Sequence, residues 1–514
     1  MLGPPKPRAL GDPIGVSLDA LVPQDDFYRH LERAFDLAFV RDLVRDTYAG
    51  TGRPAIDPVV FFKLQLILFF EGRRSERQLM RVVVDRLSRR WYVGDHLAED
   101  LPDHSRLTRI RQRDGPDVVR RVFEAIVEQC IAAGLVWGRE LFVDSTTVEA
   151  NAALDSLRPR FAVEAHLARL FSTGNEADGP GAAAAAAPDE AAARKPSPLP
   201  VALTDADRRA LAERAADRHD WIEELGRPDR TETSGAYRRT ADFRVSTTDP
   251  DTTPVPLSRG GTHLGYHDHY VVDGGKARIV LTTLVTPGEV QDNQPAVDLL
   301  WHARFRWKLR PQQVAADTKY GTVENIVAIE WEHVHLYVPL SEVGQRTGAF
   351  GGDAFRYDPT SDVYHCPAGK ELRFLSLSEA THRRIYQARA ADCKGCALRE
   401  QCTASPRGRR VSRSLDEDAI DRVRAHHVTE SYAKAMRKRK VWVEPLFAEA
   451  KDWHGLRRFR RRGAAGVNIQ ARLIAAGQNL KRLLGKRGWG RRPWPGGAPG
   501  LAFTGQPATA IARR

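Results

Sequence analysis

Two short apolar runs that each end in an aspartate constrain the fold of this 514-residue chain most strongly. Leu141-Phe142-Val143 leads into Asp144, and Val314-Ala315-Ala316 leads into Asp317. Short apolar runs are typical of buried strands, and further strand-like and helical segments surround both acids. The pattern predicts a mixed α/β core in which the two aspartates lie at strand ends.

Glu444 supplies a third acid far downstream, in the segment Val443-Glu444-Pro445-Leu446-Phe447. Mg²⁺ and Mn²⁺ prefer oxygen ligands, and three carboxylates from separate elements can hold two such ions about 4 Å apart. Each acid alone also has an ordinary explanation, with Asp144 as a turn residue, Asp317 as a helix cap and Glu444 on the surface. Together they predict a catalytic metal pocket, which suits the cutting and joining of phosphodiester bonds.

Basic residues accompany Glu444 at helical spacings. Arg437, Lys440, Glu444 and Lys451 are separated by three, four and seven residues, which places them on one face of a helix. The three basic side chains are therefore predicted to grip the phosphates of bound DNA. Pro445 disfavours helical angles at the residue before it, so the helix either kinks there or begins at Glu444. In the second case only Glu444 and Lys451 share a face.

Capping signals predict helices upstream of the first aspartate. Asp57-Pro58 is typical of an N-cap followed by proline at the first helical position. Ser75-Glu76-Arg77-Gln78 forms a capping box, and Asp103-His104-Ser105 marks a third helix start. Between the two aspartates, extended runs on both sides of Gly274-Gly275 predict a β-hairpin.

Composition and periodicity divide the chain into segments. The predicted segments are a disordered N-terminus (1–20), a helical DNA-binding domain (21–115), a catalytic α/β domain (116–485) interrupted by a linker or insertion (156–260) and a Cys-bearing module (345–412), and a basic disordered tail (486–514). A purely structural or dimerising role is the alternative for the helical domain.

The charge of the chain indicates a polyanionic partner. Its net charge is +13 and its pI is near 9.6. The N-terminus lacks the apolar core of a signal peptide. The longest apolar stretch, residues 59–70, is interrupted by Lys63 and Gln65 and is shorter than the roughly 20 residues of a membrane span. The sequence predicts a cytoplasmic protein.

Four of the five cysteines lie close together, namely Cys366, Cys393, Cys396 and Cys402. The pair in Cys393-Lys394-Gly395-Cys396 has the spacing of a zinc knuckle, and four thiolates match a closed structural site. Three interpretations stay open, which are structural Zn²⁺, reduced cysteines without metal, and an iron–sulfur cluster. Cys130 stands alone in a helical pattern and is predicted to be a buried apolar residue.

At these residues the chain resembles the bacterial insertion-sequence DDE transposases. The matching segments are Phe142-Val143-Asp144-Ser145-Thr146, Ala316-Asp317-Thr318-Lys319-Tyr320-Gly321, Val443-Glu444-Pro445-Leu446-Phe447 with Lys451, Arg457 to Gly463, Asn479-Leu480-Lys481-Arg482-Leu483 and, upstream, Gly52-Arg53-Pro54, Ser75 to Leu79 and Pro102-Asp103-His104-Ser105. Related transposases show a Tyr-x2-Arg-x3-Glu-x6-Lys signature. Here Glu444-x6-Lys451 is intact, whereas Arg437 and Lys440 stand in the tyrosine and arginine positions.

The resemblance implies an RNase H-like mixed sheet flanked by helices, with an all-α N-terminal domain and a Cys-rich insertion. It assigns the catalytic and Mg²⁺- or Mn²⁺-binding triad to Asp144, Asp317 and Glu444. The implied function is binding of insertion-element ends, metal-dependent cleavage and strand transfer into target DNA, by a dimer or larger assembly on the bacterial nucleoid. Two alternatives are a non-catalytic DNA-binding relic and an RNase H-like nuclease without strand transfer.

Overall fold

The computed structural model describes residues 15–48, 56–97, 99, 101–159, 244–256, 260–340 and 350–490. The helices are α1 (Leu18–Leu21), α2 (Phe27–Ala34), α3 (Phe39–Val44), α4 (Pro58–Phe70), α5 (Glu76–Asp85), α6 (Leu87–Val93), α7 (His104–Ala132), α8 (Ala296–Arg306), α9 (Val323–Trp331), α10 (Ala390–Lys394), α11 (Glu417–His426), α12 (Glu430–Trp442), α13 (Glu444–Trp453) and α14 (Gly463–Lys486). Most of the predicted disordered N-terminus, linker and tail lies outside the described residues.

The strands form two larger sheets and one two-stranded ribbon. They are β1 (Glu140–Glu149), β2 (Leu157–Pro159), β3 (Arg244–Ser246), β4 (Thr253–Pro256), β5 (Thr262–Asp273), β6 (Val280–Pro287), β7 (Gln313–Ala315), β8 (His335–Tyr337), β9 (Arg356–Asp358), β10 (Val363–His365), β11 (Glu371–Ser378), β12 (Arg383–Ala388) and β13 (Arg410–Ser414). Strands β2 and β3 make the ribbon.

Three predicted helix starts in the N-terminal part are confirmed by their caps. Asp57 accepts a hydrogen bond from the backbone N–H of Val59 at 2.9 Å, and Asp103 accepts one from Ser105 at 2.8 Å. The Ser75 hydroxyl accepts from the backbone of Gln78 at 3.5 Å. Such caps satisfy amides that have no partner inside the helix.

Helix α7 crosses the predicted domain boundary instead of ending there. Gly115 adopts a φ of +71°, which a side chain would disfavour, and Pro116 follows it. The helix bends at this pair and continues to Ala132. The N-terminal helices and the α/β part are therefore joined by one bent helix.

The central sheet is mixed. Strand β1 pairs with β5 in antiparallel fashion on one side and with β7 in parallel on the other. Strand β6 is antiparallel to β5, and the short β4 shares that edge. Strand β8 is parallel to β7. The order across the sheet is β6–β5–β1–β7–β8, and helices α8 and α9 make the crossovers that parallel strands require.

Two details of this sheet correct the sequence prediction. Asp144 lies inside β1 and not at its end, because Ser145-Thr146-Thr147 continue the pairing with β5 as far as Glu149. Threonine and valine favour strands, and the long partner strand outweighs the turn character of a Ser-Thr pair. In addition, β4 falls within the predicted 156–260 insertion, yet it pairs with β5.

The second large sheet occupies most of the predicted Cys-bearing module. Its five antiparallel strands run in the order β13–β12–β11–β10–β9. A separate small core holds it together, formed by Phe355, Tyr364, Leu372, Tyr386, Ala388 and Val411. The cysteines lie at the margin of that core.

Helix α14 packs against α7, α4 and the edge strand β6. Asn479 accepts a hydrogen bond from the backbone N–H of Val280 at 2.9 Å and donates to the carbonyl of the same residue at 2.8 Å. Asn468 does the same with Val285, at 2.9 and 3.0 Å. The helix thus supplies hydrogen-bond partners for backbone N–H and C=O groups of β6 that would otherwise need a further strand. Across the described segments, every helix is too short or too polar to cross a lipid bilayer.

Candidate active site

Asp144 sits on β1, and its side chain is almost completely buried. Its carboxylate accepts hydrogen bonds from the backbone N–H of Ser145 at 3.0 Å and from the Arg439 guanidinium at 2.8 Å. Burial raises the pKa of Asp144 to about 6, Arg439 opposes the rise, and the Asp317 and Glu444 carboxylates add to it. This mutual influence places the three predicted acids in one cluster.

Asp317 lies two residues beyond the end of β7, and the register of the sheet explains its position. Phe142 of β1 pairs with Ala315 of the parallel strand β7, so the residues two positions further along the two chains lie side by side. Asp144 and Asp317 are those two residues. Asp317 also caps a short 3₁₀ turn by accepting from the backbone N–H of Lys319 at 2.9 Å.

Glu444 is the first residue of α13, because α12 ends at Trp442. Pro445 therefore occupies the first turn of a helix, where its missing N–H has no intrahelical partner to lose. Of the two alternatives for this segment, the structure has the one in which a helix begins at Glu444. The Glu444 side chain is exposed. It can therefore approach a bound ion without first leaving a buried partner.

The predicted basic residues are distributed over two helices. Arg437 and Lys440 are exposed on α12, and Lys451 is half-buried on α13. Burial lowers the pKa of Lys451 and Arg457 adds to this, whereas Asp268 opposes it. Asp268 is completely buried on β5, accepts from the Thr283 hydroxyl at 2.9 Å, and has its pKa raised by burial to about 8.

Two neighbouring basic residues that the sequence pattern did not single out contact the sheet instead. Arg439 bonds with Asp144, and Lys438 donates to the carbonyl of Gly274 at 2.6 Å and also contacts Glu140. Trp442 is half-buried, and its indole N–H donates to the carbonyl of Gly275 at 3.0 Å. Helices α12 and α13 are separate, so spacings counted back from Glu444 do not predict which side of α12 faces the sheet.

A hydrogen-bonded cluster around the buried Asp292 adjoins the acids. The Asp292 carboxylate accepts from the Ser145 hydroxyl at 2.6 Å, from His267 at 2.8 Å and from Lys319 at 2.5 Å. Burial would raise the pKa of Asp292, but the hydrogen bonds from His267, Lys319 and Ser145 hold it well below its usual range. Lys319 is also influenced by the charges of Asp317 and Asp144. Asp292 lies in a polar loop, and neither residue type nor spacing there predicts that it belongs to the site.

The four clustered cysteines are free thiols that lie near one another. Burial raises the pKa of Cys402, Arg409 opposes this, and Cys393, Cys366 and Cys396 add to it. The backbone N–H of Lys370 donates to the Cys366 sulfur at 3.3 Å. Cys130 is buried apart from them, as predicted, and burial raises its pKa to about 12.

Among the described residues, one set of three potential metal ligands has all its ligand atoms within 4.8 Å, namely Glu330, His335 and His426. The thiols and the three acids are more widely spaced than this. Glu330 already has a counter-charge in Arg422 at 3.6 Å and accepts from the backbone N–H of Leu336 at 3.0 Å. The acids and thiols remain the sets whose chemistry matches the predicted ions.

A mixed sheet that brings three carboxylates together beside basic helices is the arrangement of an enzyme that acts on nucleic-acid phosphodiesters. The family comparisons agree with this class. The family described as Transposase DDE domain matches residues 365–484, and the family described as Transposase domain (DUF772) matches residues 16–113. Two separate segments of the chain thus match transposase families, which supports an insertion-sequence DDE transposase. Comparisons with curated proteins and with solved structures gave no match.

Proposed function

We propose that this chain binds the DNA ends of an insertion element, cleaves them and joins them to target DNA. The observation that carries the proposal is the convergence of Asp144, Asp317 and Glu444 from three separate elements. A DNA-binding relic without chemistry would have no need to bury an aspartate beside two further acids, since such burial is unfavourable. The helical part, whose family match is a transposase domain, is the proposed reader of the element ends.

The strand order supports an RNase H-like core within this proposal. Strand β5 is antiparallel to both of its neighbours, β1 and β6, and β7 and β8 continue the sheet parallel to β1. The first acid lies on the central strand and the second follows the neighbouring parallel strand. This is the geometry expected if the resemblance in the sequence extends to the fold.

The residues of the acid cluster fit divalent cations such as Mg²⁺ or Mn²⁺. Three carboxylates offer only oxygen ligands, and burial, to which the charges of Asp317 and Glu444 add, raises the pKa of Asp144, so a cation would stabilise its ionised form. When bound, the cations would polarise the scissile phosphate and stabilise the attacking and leaving oxygens. Asp144, Asp317 and Glu444 would hold them. Arg439, which bonds with Asp144, would then be free to turn toward a phosphate.

The proposed chemistry is in-line displacement at phosphorus. In cleavage, a water oxygen bonds to phosphorus and the bond from phosphorus to the 3′-oxygen breaks. One proton leaves the water and one is taken up by the departing 3′-oxygen, so that the products are a 5′-phosphate and a 3′-hydroxyl. In strand transfer, the released 3′-hydroxyl oxygen attacks a target phosphate and a target 3′-oxygen leaves in the same way. Lys319 stands beside the acids and is held by Asp292, so it is the proposed partner of a non-bridging phosphate oxygen. Arg437, Lys440 and Lys451 are proposed contacts to the flanking backbone.

Two further parts of the proposal concern the Cys module and the assembly. We propose that Cys366, Cys393, Cys396 and Cys402 bind a structural Zn²⁺, since they form a four-thiol donor set at the margin of the second sheet. We also propose that two copies act together on nucleoid DNA, because an element has two ends to be processed.

Cleavage of labelled DNA that carries the element's own ends tests the proposal. Wild type would be compared with Asp144→Asn, Asp317→Asn and Glu444→Gln in Mg²⁺ and Mn²⁺. Asp452→Asn is the matched control, because Asp452 is exposed on the same helix as Glu444. We expect nicking at the ends in wild type and control, and loss of nicking with retained DNA binding in the three triad variants.

Other results would point elsewhere. Binding without cleavage in the wild type would favour the relic, and cleavage that never leads to joined products would favour a nuclease. Cleavage that survives Glu444→Gln would show that the third acid has been assigned wrongly.

A further inference from the structure

We infer that a cleft between the N-terminal helices and the start of α14 binds the phosphodiester backbone of duplex DNA. The cleft has a volume of about 580 Å³ and is bounded by α5, the bend in α7 and the first turn of α14. It is separate from the acid cluster. The inference rests on the proposed function, because it names the surface that would hold the DNA substrate.

The charge of the cleft is the first argument. In the described part of the chain its lining includes five arginines and one carboxylate, which are Arg74, Arg111, Arg460, Arg461, Arg462 and Glu76. Glu76 contacts Arg111 and lies 3.4 Å from Arg461, so one acid is shared by two guanidinium groups. The lining therefore carries a net charge of about +4, since arginine remains protonated in proteins. A polyanion would compensate this charge.

Burial makes the excess charge costly without a ligand. The Arg111 side chain is 7% exposed, and its buried Nε has no hydrogen-bond partner. The Arg461 side chain is 16% exposed, and burial together with Arg111 and Arg460 lowers its pKa to about 9. Buried cations of like charge destabilise the fold unless an anion accompanies them.

The first turn of α14 borders the cleft with small residues. Ala465 and Gly466 line the cleft, so a phosphate backbone can approach the helix closely. The first two backbone N–H groups of the helix donate to Asp249 at 2.9 Å and to Asp251 at 2.6 Å, so these two carboxylates already satisfy that end of the helix. The positive potential of the cleft therefore comes from its arginines.

The extent of the cleft favours DNA over a single small anion. A lone phosphate is satisfied by two or three donors, whereas this lining spreads five guanidinium groups over α7 and the segments before α5 and α14. A duplex presents a phosphate about every 3.4 Å along each strand, so one strand can contact several of these groups. Both the N-terminal helices and the catalytic part would hold the same backbone.

The position of the cleft relative to the acids also suits a DNA substrate. Phe459, next to Arg460, donates its backbone N–H to the carbonyl of Glu149 at 2.8 Å. Glu149 ends β1, five residues beyond Asp144, which corresponds to about 16 Å along a strand. DNA in the cleft would therefore reach the acids over roughly five base steps.

Fluorescence anisotropy with a labelled duplex of about 30 base pairs tests the inference, with salt varied from about 50 to 200 mM and no Mg²⁺ added. Arg74→Gln/Arg462→Gln removes two exposed lining charges, whereas Arg77→Gln removes an exposed charge of α5 outside the cleft. The double variant should lower the log–log salt slope by about 2, because each phosphate contact contributes about 0.9. The Arg77 control should retain the wild-type slope, because it removes none of the proposed phosphate contacts.

Ala465→Glu separates DNA binding from folding. Ala465 is exposed in the first turn of α14, where a carboxylate is favourable to the helix and to the surrounding arginines. We expect thermal stability at or above that of the wild type, together with DNA affinity that falls roughly tenfold or more. A merely structural cleft would not produce this combination.

Three outcomes would overturn the inference. The first is wild-type affinity and salt slope in both cleft variants, which would leave DNA binding elsewhere and the proposed function intact. The second is stabilisation of the wild type by inorganic phosphate alone with unchanged DNA binding in the variants, which would assign the cleft to a small anion. The third is absence of DNA binding in the wild type, which would defeat the proposed function as well.

Discussion

Replacement of Asn479 should destabilise the edge of the central sheet more than any surface change on the same helix. The Asn479 side chain is fully buried and holds both backbone polar groups of Val280 on β6. Asn468 holds Val285 in the same way. The two asparagines are 11 residues apart on a helix, and the two valines are five residues apart on a strand. Both separations correspond to about 16.5 Å.

The size of the effect follows from the groups that lose their partners. Asn479→Ala leaves one buried N–H and one buried C=O of Val280 unpaired, and each costs about 1–3 kcal/mol. The substitution also removes the cost of burying the Asn479 side-chain amide, which offsets part of this loss. We therefore expect local stability to fall by about 2–5 kcal/mol. Asn479→Leu fills the vacated space but restores neither hydrogen bond. It should therefore be destabilised to a similar extent.

Hydrogen exchange read by mass spectrometry is the suitable assay, because a chain of several parts does not unfold in two states. Amides of residues 277–285 should exchange roughly 30- to 4,000-fold faster in the Asn479 variants, since 1.4 kcal/mol corresponds to a factor of ten. Lys481→Ala is the matched control, since Lys481 is exposed on the same helix and its ion pair with Glu449 is worth little. Exchange of β6 within about threefold of wild type in both Asn479 variants would refute this account of the edge.

Three further predictions follow from other contacts. Gly477→Ala should destabilise the fold by about 1–3 kcal/mol, because a Cβ there would lie 2.5 Å from the ring of Phe69. Gly485→Ala should stabilise α14 by about 0.5–1 kcal/mol, because a Cβ there meets open space. Equal shifts of the thermal unfolding temperature in the two variants would contradict this. The affinity for Mn²⁺, measured by electron paramagnetic resonance, should rise between pH 5 and 7, because Asp144 has a pKa of about 6 and must lose its proton to bind the ion. An affinity that does not change with pH would argue against a role for this carboxylate. The folded-state pKa lies above the ordinary value, so the linked stability is present at low pH and is lost as pH rises through about 6. Zinc analysis should give one ion per chain, lost in Cys393→Ser; zinc-free purified protein of normal stability would exclude the structural zinc site.

Local signals in the sequence predicted helix starts and a hairpin turn well, because their conformation depends on residues close by in the sequence. The caps at Asp57, Ser75 and Asp103 act within three residues, and the hairpin at Gly274-Gly275 is closed by adjacent strands. These features depend on few neighbours, so residue type and spacing suffice to predict them.

Features set by distant contacts were not predictable in the same way. The length of β1 depends on pairing with β5, more than 100 residues later, and this moved Asp144 from a strand end to the interior of a strand. Asp292 becomes part of the site only because three other elements bring Ser145, His267 and Lys319 to it. Arg439 faces Asp144 because α12 and α13 are separate helices. No periodicity within one segment encodes such relations.

Helix α14 also bears on how this protein can change over evolutionary time. It packs on α4 of the N-terminal part through Gly477 and Phe69, and it completes the edge of the central sheet through its asparagines. The two family matches, residues 16–113 and 365–484, are far apart in sequence, yet their surfaces meet along this helix. If recombination replaced the N-terminal part with that of a relative, the new α4 would pack against an α14 whose surface fits a different helix. The two segments are therefore expected to be inherited together and to change in step.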